Sequence, residues 1–170
     1  MNKKAIVLMS GGLDSSIVLK VILDQGIEAM GLKFNSPFFA DEKSEKSLAQ
    51  ITCEQFGVNF ISLTKDEGFL DIVKKPKFGH GSGLNPCIDC KIYMLKRTKL
   101  LMEQFNASFV VTGEVLGQRP MSQHKQALNL IEKESGMSGK ILRALSAKYL
   151  PKTDMEKECI IDISKLPEIN

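Results

Sequence analysis

The chain alternates short apolar runs with longer segments in which apolar residues recur every three to four positions. A short continuous apolar run is typical of a buried parallel strand, whereas the longer period is typical of an amphipathic helix. In the first half, these patterns predict strands at 4–9, 28–34 and 58–63, and helices at 13–25 and 43–56. The first helix would bury a stripe of Leu13, Ile17, Val18, Val21 and Ile22. Such strand–helix alternation favours a parallel sheet with helices on both faces.

The second half continues the alternation less regularly. We predict helices at about 68–75, 85–105 and 124–134, and strands at 107–112 and 140–145. A glycine-rich stretch at 76–83 is expected to be a mobile loop, either a lid over a site or a plain connection. Pro151 and Pro167 interrupt the remainder. We therefore predict one α/β domain over residues 1–150, followed by a C-terminal tail, 151–170, of undefined structure.

Composition limits the class of protein. Of the 170 residues, 43% are hydrophobic and 25% are charged, as is usual for a globular domain. No apolar run is long enough to span a bilayer, and the first run is too short for a signal peptide, so we expect a cytoplasmic protein. The net charge of +3 permits contact with nucleic acid without requiring it. In such a chain, four cysteines indicate reactive or metal-binding thiols rather than disulfides.

The sequence Ser-Gly-Gly-Leu-Asp-Ser-Ser at residues 10–16 joins the first strand to the first helix. Two glycines allow a sharp turn, and the N–H groups at a helix start, together with serine hydroxyls, can hold phosphate oxygens. An acidic residue there would meet a polyphosphate through Mg²⁺. The candidate nucleotide-binding residues are Ser10, Gly11, Gly12, Asp14, Ser15 and Ser16. The alternative is a glycine turn that only connects two elements.

Cys87 and Cys90 stand at the start of the helix that follows Asn85-Pro86. A spacing of three residues places both sulfurs on one helix face, and the helix dipole favours a thiolate near the N-terminus. Lys91 adds positive potential. The pair therefore suits nucleophilic sulfur chemistry or metal binding, although two cysteines alone cannot complete a structural zinc site. The alternative is a pair of small buried side chains.

These motifs resemble those of known enzymes. The 10–16 motif is similar to the PP-loop of the ATP pyrophosphatase superfamily, whose members cleave ATP to AMP and pyrophosphate. The sequence Asn-Pro-Cys-x-x-Cys at 85–90 resembles that of bacterial tRNA 2-thiouridylases, although Lys91 stands where those enzymes have Asn. Residues 112–123, Thr-Gly-Glu-Val-Leu-Gly-Gln-Arg-Pro-Met-Ser-Gln, resemble a block of tRNA 4-thiouridine synthetases.

The resemblance implies a doubly wound, five-stranded parallel sheet of the adenine nucleotide α-hydrolase (HUP) type, in the order 3-2-1-4-5. It implies ATP and Mg²⁺ as ligands, with Phe34 near the adenine, and Gly113 and Gln118 near the nucleotide or the metal. Because parallel strands place ligands at their carboxyl ends, the three motifs should converge on one sheet edge. For residues 112–123, the alternative is a polar helix cap formed by Ser122 and Gln123.

Some enzymes that this chain resembles hold a [4Fe–4S] cluster on three cysteines. By this resemblance, Cys159 is a candidate third ligand beside Cys87 and Cys90, with one iron left to bind sulfide. Cys53 lies on the apolar face of the second helix and is expected to be a core residue. Asp14 would hold the Mg²⁺.

The resemblance implies an enzyme that thiolates a tRNA uridine. Asp14, Cys87 and Cys90 would be catalytic, with sulfur delivered as a Cys87 persulfide or as cluster-bound sulfide. The sulfur donor would be a cysteine desulfurase or free sulfide. The extra domains of the two enzyme groups are absent from this sequence, so a homodimer, an RNA-binding partner protein or loop 76–86 would hold the tRNA. Two alternatives remain: a PP-loop ligase or sulfur-inserting enzyme acting on a small molecule, and a non-enzymatic, nucleotide-sensing carrier of sulfur or of an iron–sulfur cluster.

Overall fold

A computed structural model describes residues 2–38, 46–81 and 84–169. Five strands are present in this part of the chain: β1 Lys4–Leu8, β2 Glu28–Asn35, β3 Asn59–Thr64, β4 Phe109–Thr112 and β5 Ile141–Arg143. The helices are α1 Leu13–Asp24, α2 Leu48–Gln55, α3 Glu67–Lys74, α4 Cys87–Phe105, α5 Lys125–Ser135 and α6 Asp154–Lys157. Two 3₁₀ turns, Ala147–Tyr149 and Ile163–Lys165, complete the elements. No helix among these residues is long and apolar enough to cross a bilayer.

The five strands form one parallel sheet in the order β3-β2-β1-β4-β5, which confirms the expected fold class and strand order. Strand β1 pairs with β2 on one side and with β4 on the other, and its Ala5, Ile6 and Val7 are fully buried. The chain reverses its direction of winding between β1 and β4. In open α/β sheets, ligands bind at this switch point, beyond the carboxyl ends of the strands.

Each face of the sheet has its own apolar core. On one face, α1 and α2 pack through residues such as Val18, Leu19 and Ala49. On the other, α4 and α5 pack through residues such as Leu95 and Ile131. This arrangement fits a sheet covered on both faces, whose central strands β1 and β4 are nearly continuous apolar runs.

Two helix expectations need correction. Leu13 is 74% exposed and is not part of the buried stripe of α1, which consists of Ser15, Val18, Leu19 and Ile22. Helix α2 begins at Leu48 rather than near residue 43, because Ser47 caps it by accepting a hydrogen bond from the Gln50 N–H at 3.3 Å. Residues 43–45 of the expected helix lie outside the described ranges.

The C-terminal segment packs onto the domain. Met155, Ile161 and Leu166 are buried in the same core as α1. The Asp162 N–H also donates to the Gln25 side chain at 2.8 Å, which joins the segment to the end of α1. Burial of three apolar residues gives this segment a defined place, although its sequence has no helical or strand period.

We expect Gly31→Ala to lower the free energy of unfolding by about 1–3 kcal/mol, because a β-carbon at this buried β2 position would lie 2.4 Å from Cys53 Sγ. In the double variant with Cys53→Ala, the closest obstruction is gone. The double variant should therefore be more stable than Gly31→Ala alone, as measured by urea unfolding. Simple additivity of the two single changes would contradict this account.

Candidate functional site

The turn after β1 is shaped by its own hydrogen bonds. The Ser15 and Ser16 hydroxyls donate to the Gly12 carbonyl at 2.8 and 3.2 Å, and the Gly12 N–H donates to Ser10 Oγ at 3.2 Å. Gly11 has a φ of +86°, and a β-carbon there would lie 3.2 Å from the Ala49 nitrogen of α2. The glycine therefore provides both a left-handed turn and close packing.

The start of α1 is suited to an anion. Gly12 is its N-cap residue, and no side chain caps this helix end. The first N–H groups of a helix have no partner within the helix, so they can donate to phosphate oxygens. Asp14 lies half-buried in the first turn of α1 and offers a carboxylate for a cation. One carboxylate fits Mg²⁺, which usually binds proteins through one or two carboxylates plus substrate phosphates.

Gly113, directly after β4, approaches the same turn. A β-carbon at Gly113 would lie 3.0 Å from both the Asp14 carbonyl carbon and the Ser15 nitrogen. A side chain at this position would push the start of α1 away from the sheet. Gly113 therefore packs closely on the α1 backbone. The family resemblance implied only a position near the nucleotide or the metal and did not indicate this packing role.

The thiol pair lies at the start of α4, also at the carboxyl edge of the sheet. Cys87 and Cys90 are both free and half-buried. The Lys65 ammonium, just beyond β3, donates to Cys90 Sγ at 3.3 Å and lies 4.3 Å above the Phe69 ring. Cys90 thus has a cationic hydrogen-bond donor at its sulfur, and the two cysteines have different surroundings.

Asp89, between the two cysteines, organises the glycine-rich loop. Its carboxylate is buried and accepts hydrogen bonds from the Lys77 and Phe78 N–H groups, both at 3.0 Å. The Gly81 N–H also donates to the Asn85 carbonyl at 2.9 Å. The described part of this loop, 76–81, is thus hydrogen-bonded to α4 and to the residue Asn85 just before it. Residues 82 and 83 lie outside the described ranges.

Glu114 connects the second and third motifs. Its carboxylate forms ion pairs with Lys91 of α4 and with Arg143 of β5, the latter at 3.1 Å. Arg143, 4% exposed, also pairs with Glu132 of α5. Burial alone would raise the pKa of Glu114, but the charges of Lys91 and Arg143 outweigh it and hold that pKa below its ordinary value. Because Glu114 neutralises Lys91, that lysine does not supply the positive potential expected beside the thiols.

The three motifs therefore meet at one edge. Residues 112–123 contact the 10–16 turn through Gly113 and the cysteine segment through Glu114. A further contact joins the third motif to the glycine-rich loop, since a β-carbon on Gly81 would lie 2.4 Å from Met121 Sδ. This edge is also the switch point of the sheet, as the strand order requires.

Other candidate residues have less specific positions. Phe34 is half-buried and packs against the core on the α4 side, and Gln118 is exposed. Ser122 and Gln123 are buried, but neither caps a helix. The cap of α5 is instead His124, whose Nδ1 accepts from the Ala127 N–H at 3.3 Å.

The structure does not bring Cys159 to the thiol pair. Cys159 is exposed and follows α6, whose Asp154 N–H donates to the Gly139 carbonyl just before β5. This is the amino-terminal edge of the sheet, opposite Cys87 and Cys90. Within the described ranges, no group of three His, Cys, Asp or Glu residues could hold a metal ion. The three-cysteine set for a [4Fe–4S] cluster is therefore not assembled within one chain.

The remaining cysteine is a core residue, as expected. Cys53 is fully buried, and burial raises the pKa of its thiol to about 11. A buried thiol of this kind is unsuited to nucleophilic chemistry at neutral pH.

The sequence patterns did not indicate that Lys65 and Arg143 contact the site. Each directly follows or ends a strand at the carboxyl edge, which is the one signal that could have pointed to them. Their partners lie 25 and 29 residues away in the chain, so the contacts depend on the folded sheet.

The fold and the site define an α/β protein of the PP-loop class. The family described as "Thiamine biosynthesis protein (ThiI)" matches residues 1–166, and the chain belongs to this family. A probable tRNA sulfurtransferase of Thermococcus kodakarensis is 26% identical over 163 residues, covering 95% of this chain and 40% of that protein. A tRNA-specific 2-thiouridylase, MnmA 2, of Fusobacterium nucleatum is 29% identical over 119 residues, covering 65% of this chain and 33% of that protein.

Among solved structures, a protein described as a predicted subunit of tRNA methyltransferase from Methanocaldococcus jannaschii has the same fold. The TM-score is 0.56 at 17% identity, over 82% of this chain and 67% of that one. The chain spans 40% or less of the length of the two curated relatives named above.

We expect Glu114→Gln to lower the free energy of unfolding by about 3 kcal/mol at neutral pH, because it leaves Lys91 without its charged partner inside the protein. The pKa of Glu114 is depressed in the folded state, so its stabilisation is complete above the ordinary value of 4.5 and is lost as the pH falls through the depressed value. The stability difference between the native protein and the variant should therefore shrink in acid.

Urea unfolding between neutral and acidic pH measures this difference. Glu168→Gln is the matched control, since Glu168 pairs with Lys148 in an exposed position and should contribute little. A stability difference for Glu114→Gln that stays constant with pH would contradict the assignment.

Proposed function

We propose that this protein is an enzyme that thiolates a tRNA uridine at the expense of ATP. The proposal is supported by membership of the ThiI family and by two relatives whose names are tRNA sulfurtransferase and tRNA-specific 2-thiouridylase. The observation that carries it is the position of residues 112–123, which contact both the 10–16 turn and the cysteine segment. One edge of the sheet thus offers a site where the uracil carbonyl oxygen can be adenylated, and a thiol whose sulfur can replace that oxygen.

The first step would be adenylation. The uracil carbonyl oxygen attacks the α-phosphorus of ATP, and pyrophosphate leaves. The N–H groups at the start of α1 would hold the phosphates, and their fixed direction suits them to stabilise charge that develops during the displacement. Asp14 would hold Mg²⁺, which would neutralise charge on the phosphates. Phe34 and Gln118 are proposed near the nucleotide.

The second step would transfer sulfur. A Cys87 persulfide, formed by a cysteine desulfurase or another sulfur donor, attacks the activated carbon with its terminal sulfur, and AMP leaves. The Cys90 thiolate then attacks the Cys87 sulfur of the resulting disulfide, which releases the thiouridine and leaves a Cys87–Cys90 disulfide. A dithiol reductant restores both thiols. Lys65 supports this assignment of roles, because its ammonium lies 3.3 Å from the sulfur that must attack as an anion.

Binding of tRNA would need surface beyond this edge. Two basic side chains at or near α4 are already paired: Lys77 with Glu134 and Arg97 with Asp66. We propose that a second copy of the chain, or an RNA-binding partner, supplies part of the phosphate contacts.

We expect Asp14→Asn to reduce tRNA-dependent pyrophosphate release about 100-fold or more, because the phosphates lose their cation. Cys87→Ala and Cys90→Ala should leave pyrophosphate release unchanged and abolish thiouridine formation. Pyrophosphate assay and nucleoside mass spectrometry measure the two steps separately. Cys159→Ala is the control and should affect neither.

The same assay separates the alternatives. Pyrophosphate release that needs a small molecule and ignores tRNA would contradict the proposal in favour of a small-molecule enzyme. No release with any substrate would indicate a nucleotide-sensing carrier.

We expect Lys65→Met to lower the rate of thiouridine formation about tenfold, since a hydrogen bond to a charged group contributes about 1.5–3 kcal/mol. Pyrophosphate release should be unchanged, because Lys65 contacts the thiol segment. Lys74→Met, an exposed lysine on neighbouring α3, is the control and should change neither step. An equal fall in both steps would show that Lys65 acts on the fold or on ATP instead.

A further inference from the structure

A row of three aromatic side chains beside the thiol pair ends in an exposed ring. Phe38, in the turn after β2, contacts Phe69 of α3, and Phe69 contacts Tyr93 of α4, with ring centroids 6.4 and 5.6 Å apart. Phe69 is 5% exposed, whereas Phe38 is 57% exposed. One end of the row therefore presents an aromatic ring to solvent at the carboxyl edge of the sheet.

Hydrogen bonds hold the segment that carries Phe38. The Phe38 N–H donates to the Ser36 hydroxyl at 3.3 Å, which shapes the turn. The Lys65 N–H donates to the Asn35 carbonyl at 3.2 Å, where β2 and β3 end side by side. The segment after β2 and the segment after β3 therefore leave the sheet next to one another.

Lys65 joins the aromatic row to a thiol. Its ammonium lies 4.3 Å from the centroid of the Phe69 ring and 3.3 Å from Cys90 Sγ. A cation over an aromatic face is attracted to the ring electrons, so this contact favours the observed position of Lys65. Phe69 thus contacts Lys65 and Phe38, and only these two side chains separate the exposed ring from the Cys90 sulfur.

A base that reacts at this edge needs a flat apolar support. Enzymes that modify a base act on it outside the stack of the nucleic acid, where it has lost contact with its neighbours. Aromatic side chains replace this stacking when proteins bind unpaired RNA bases. In the described part of the chain, two phenylalanines are exposed, and Phe38 is the one at the carboxyl edge; Phe56 ends α2 at the opposite edge.

We propose that Phe38 stacks on the uracil that is to be thiolated and so positions it at the thiol edge. This assignment rests on the proposed function, from which it takes its substrate. The exposed face of the ring would contact the base, while Phe69 and Tyr93 support the ring from behind. Because every base has a π-face, this contact positions the nucleotide and does not select uridine over other bases.

A fluorescent variant tests the contact directly. The chain contains no tryptophan, so Phe38→Trp introduces a single indole at the proposed contact. We expect unfractionated tRNA that lacks thiouridine to quench its emission saturably, because a stacked base quenches indole fluorescence. Phe56→Trp is the matched control, since Phe56 is 39% exposed at the opposite edge, and its emission should not change.

Three results of this titration would overturn the proposal. Equal quenching of both indoles would show that the effect is not local to Phe38. No quenching of Phe38→Trp at tRNA concentrations that saturate binding in a filter assay would show that no base contacts the ring. Quenching by Mg²⁺ and ATP alone, as strong as by tRNA, would assign the ring to the adenine of the nucleotide.

Kinetics measure the contribution of the contact. We expect Phe38→Ala to raise the KM for tRNA about tenfold in tRNA-dependent pyrophosphate release and to leave the KM for ATP unchanged. Phe38→Tyr keeps the ring and should retain the native KM values. An unchanged KM for tRNA in Phe38→Ala, with normal tRNA-dependent release, would contradict the stacking assignment alone. Native protein whose pyrophosphate release does not depend on tRNA would contradict the proposed function and the stacking assignment together.

Discussion

The buried carboxylate of Glu114 is the interaction on which the arrangement of the site depends. It lies at the end of the central part of the sheet and pairs with cations from α4 and β5. Two positive groups without this carboxylate would repel one another in a region largely shielded from water. The ion pairs therefore fix where α4 begins relative to β4, and hence where both thiols lie.

Two lysines near the thiols differ in their partners. Lys91 is the nearest cation in sequence to Cys90, yet its charge is balanced by Glu114. Lys65 comes from another strand end and contacts the Cys90 sulfur directly. Lys65 thus contacts the Cys90 sulfur, whereas Lys91 is paired with Glu114. This contact gives Cys90 an environment that differs from that of Cys87.

Sequence patterns predicted the strand–helix alternation because the central strands are nearly continuous apolar runs separated by segments of helical period. The order of strands, which the family resemblance implied, was confirmed, and the three motifs meet at one edge as expected for loops at the carboxyl ends of parallel strands. The side-chain partners were not predictable, because Lys65 and Cys90 meet only when β3 and α4 are packed. Leu13 shows the opposite failure: its spacing fits the apolar stripe, but it lies at the exposed start of α1. Cys159 lies in a segment without a period, so nothing local indicated which sheet edge it would reach.

Two glycines, Gly11 and Gly113, allow close packing of neighbouring backbone on the 10–16 turn. Gly113 packs so closely on the Asp14 and Ser15 backbone that a β-carbon at this position would lie only 3.0 Å from it, which is tighter than ordinary van der Waals contact. Gly11 makes a comparable approach to α2. The turn is thereby held on two sides by backbone contacts, and its N–H groups keep a fixed direction. Donors that are already oriented need no rearrangement when charge develops on a bound phosphate, which is the condition for electrostatic catalysis. The glycines thus hold the turn in place by allowing neighbouring backbone to pack closely against it, in addition to any contact that they make with a ligand.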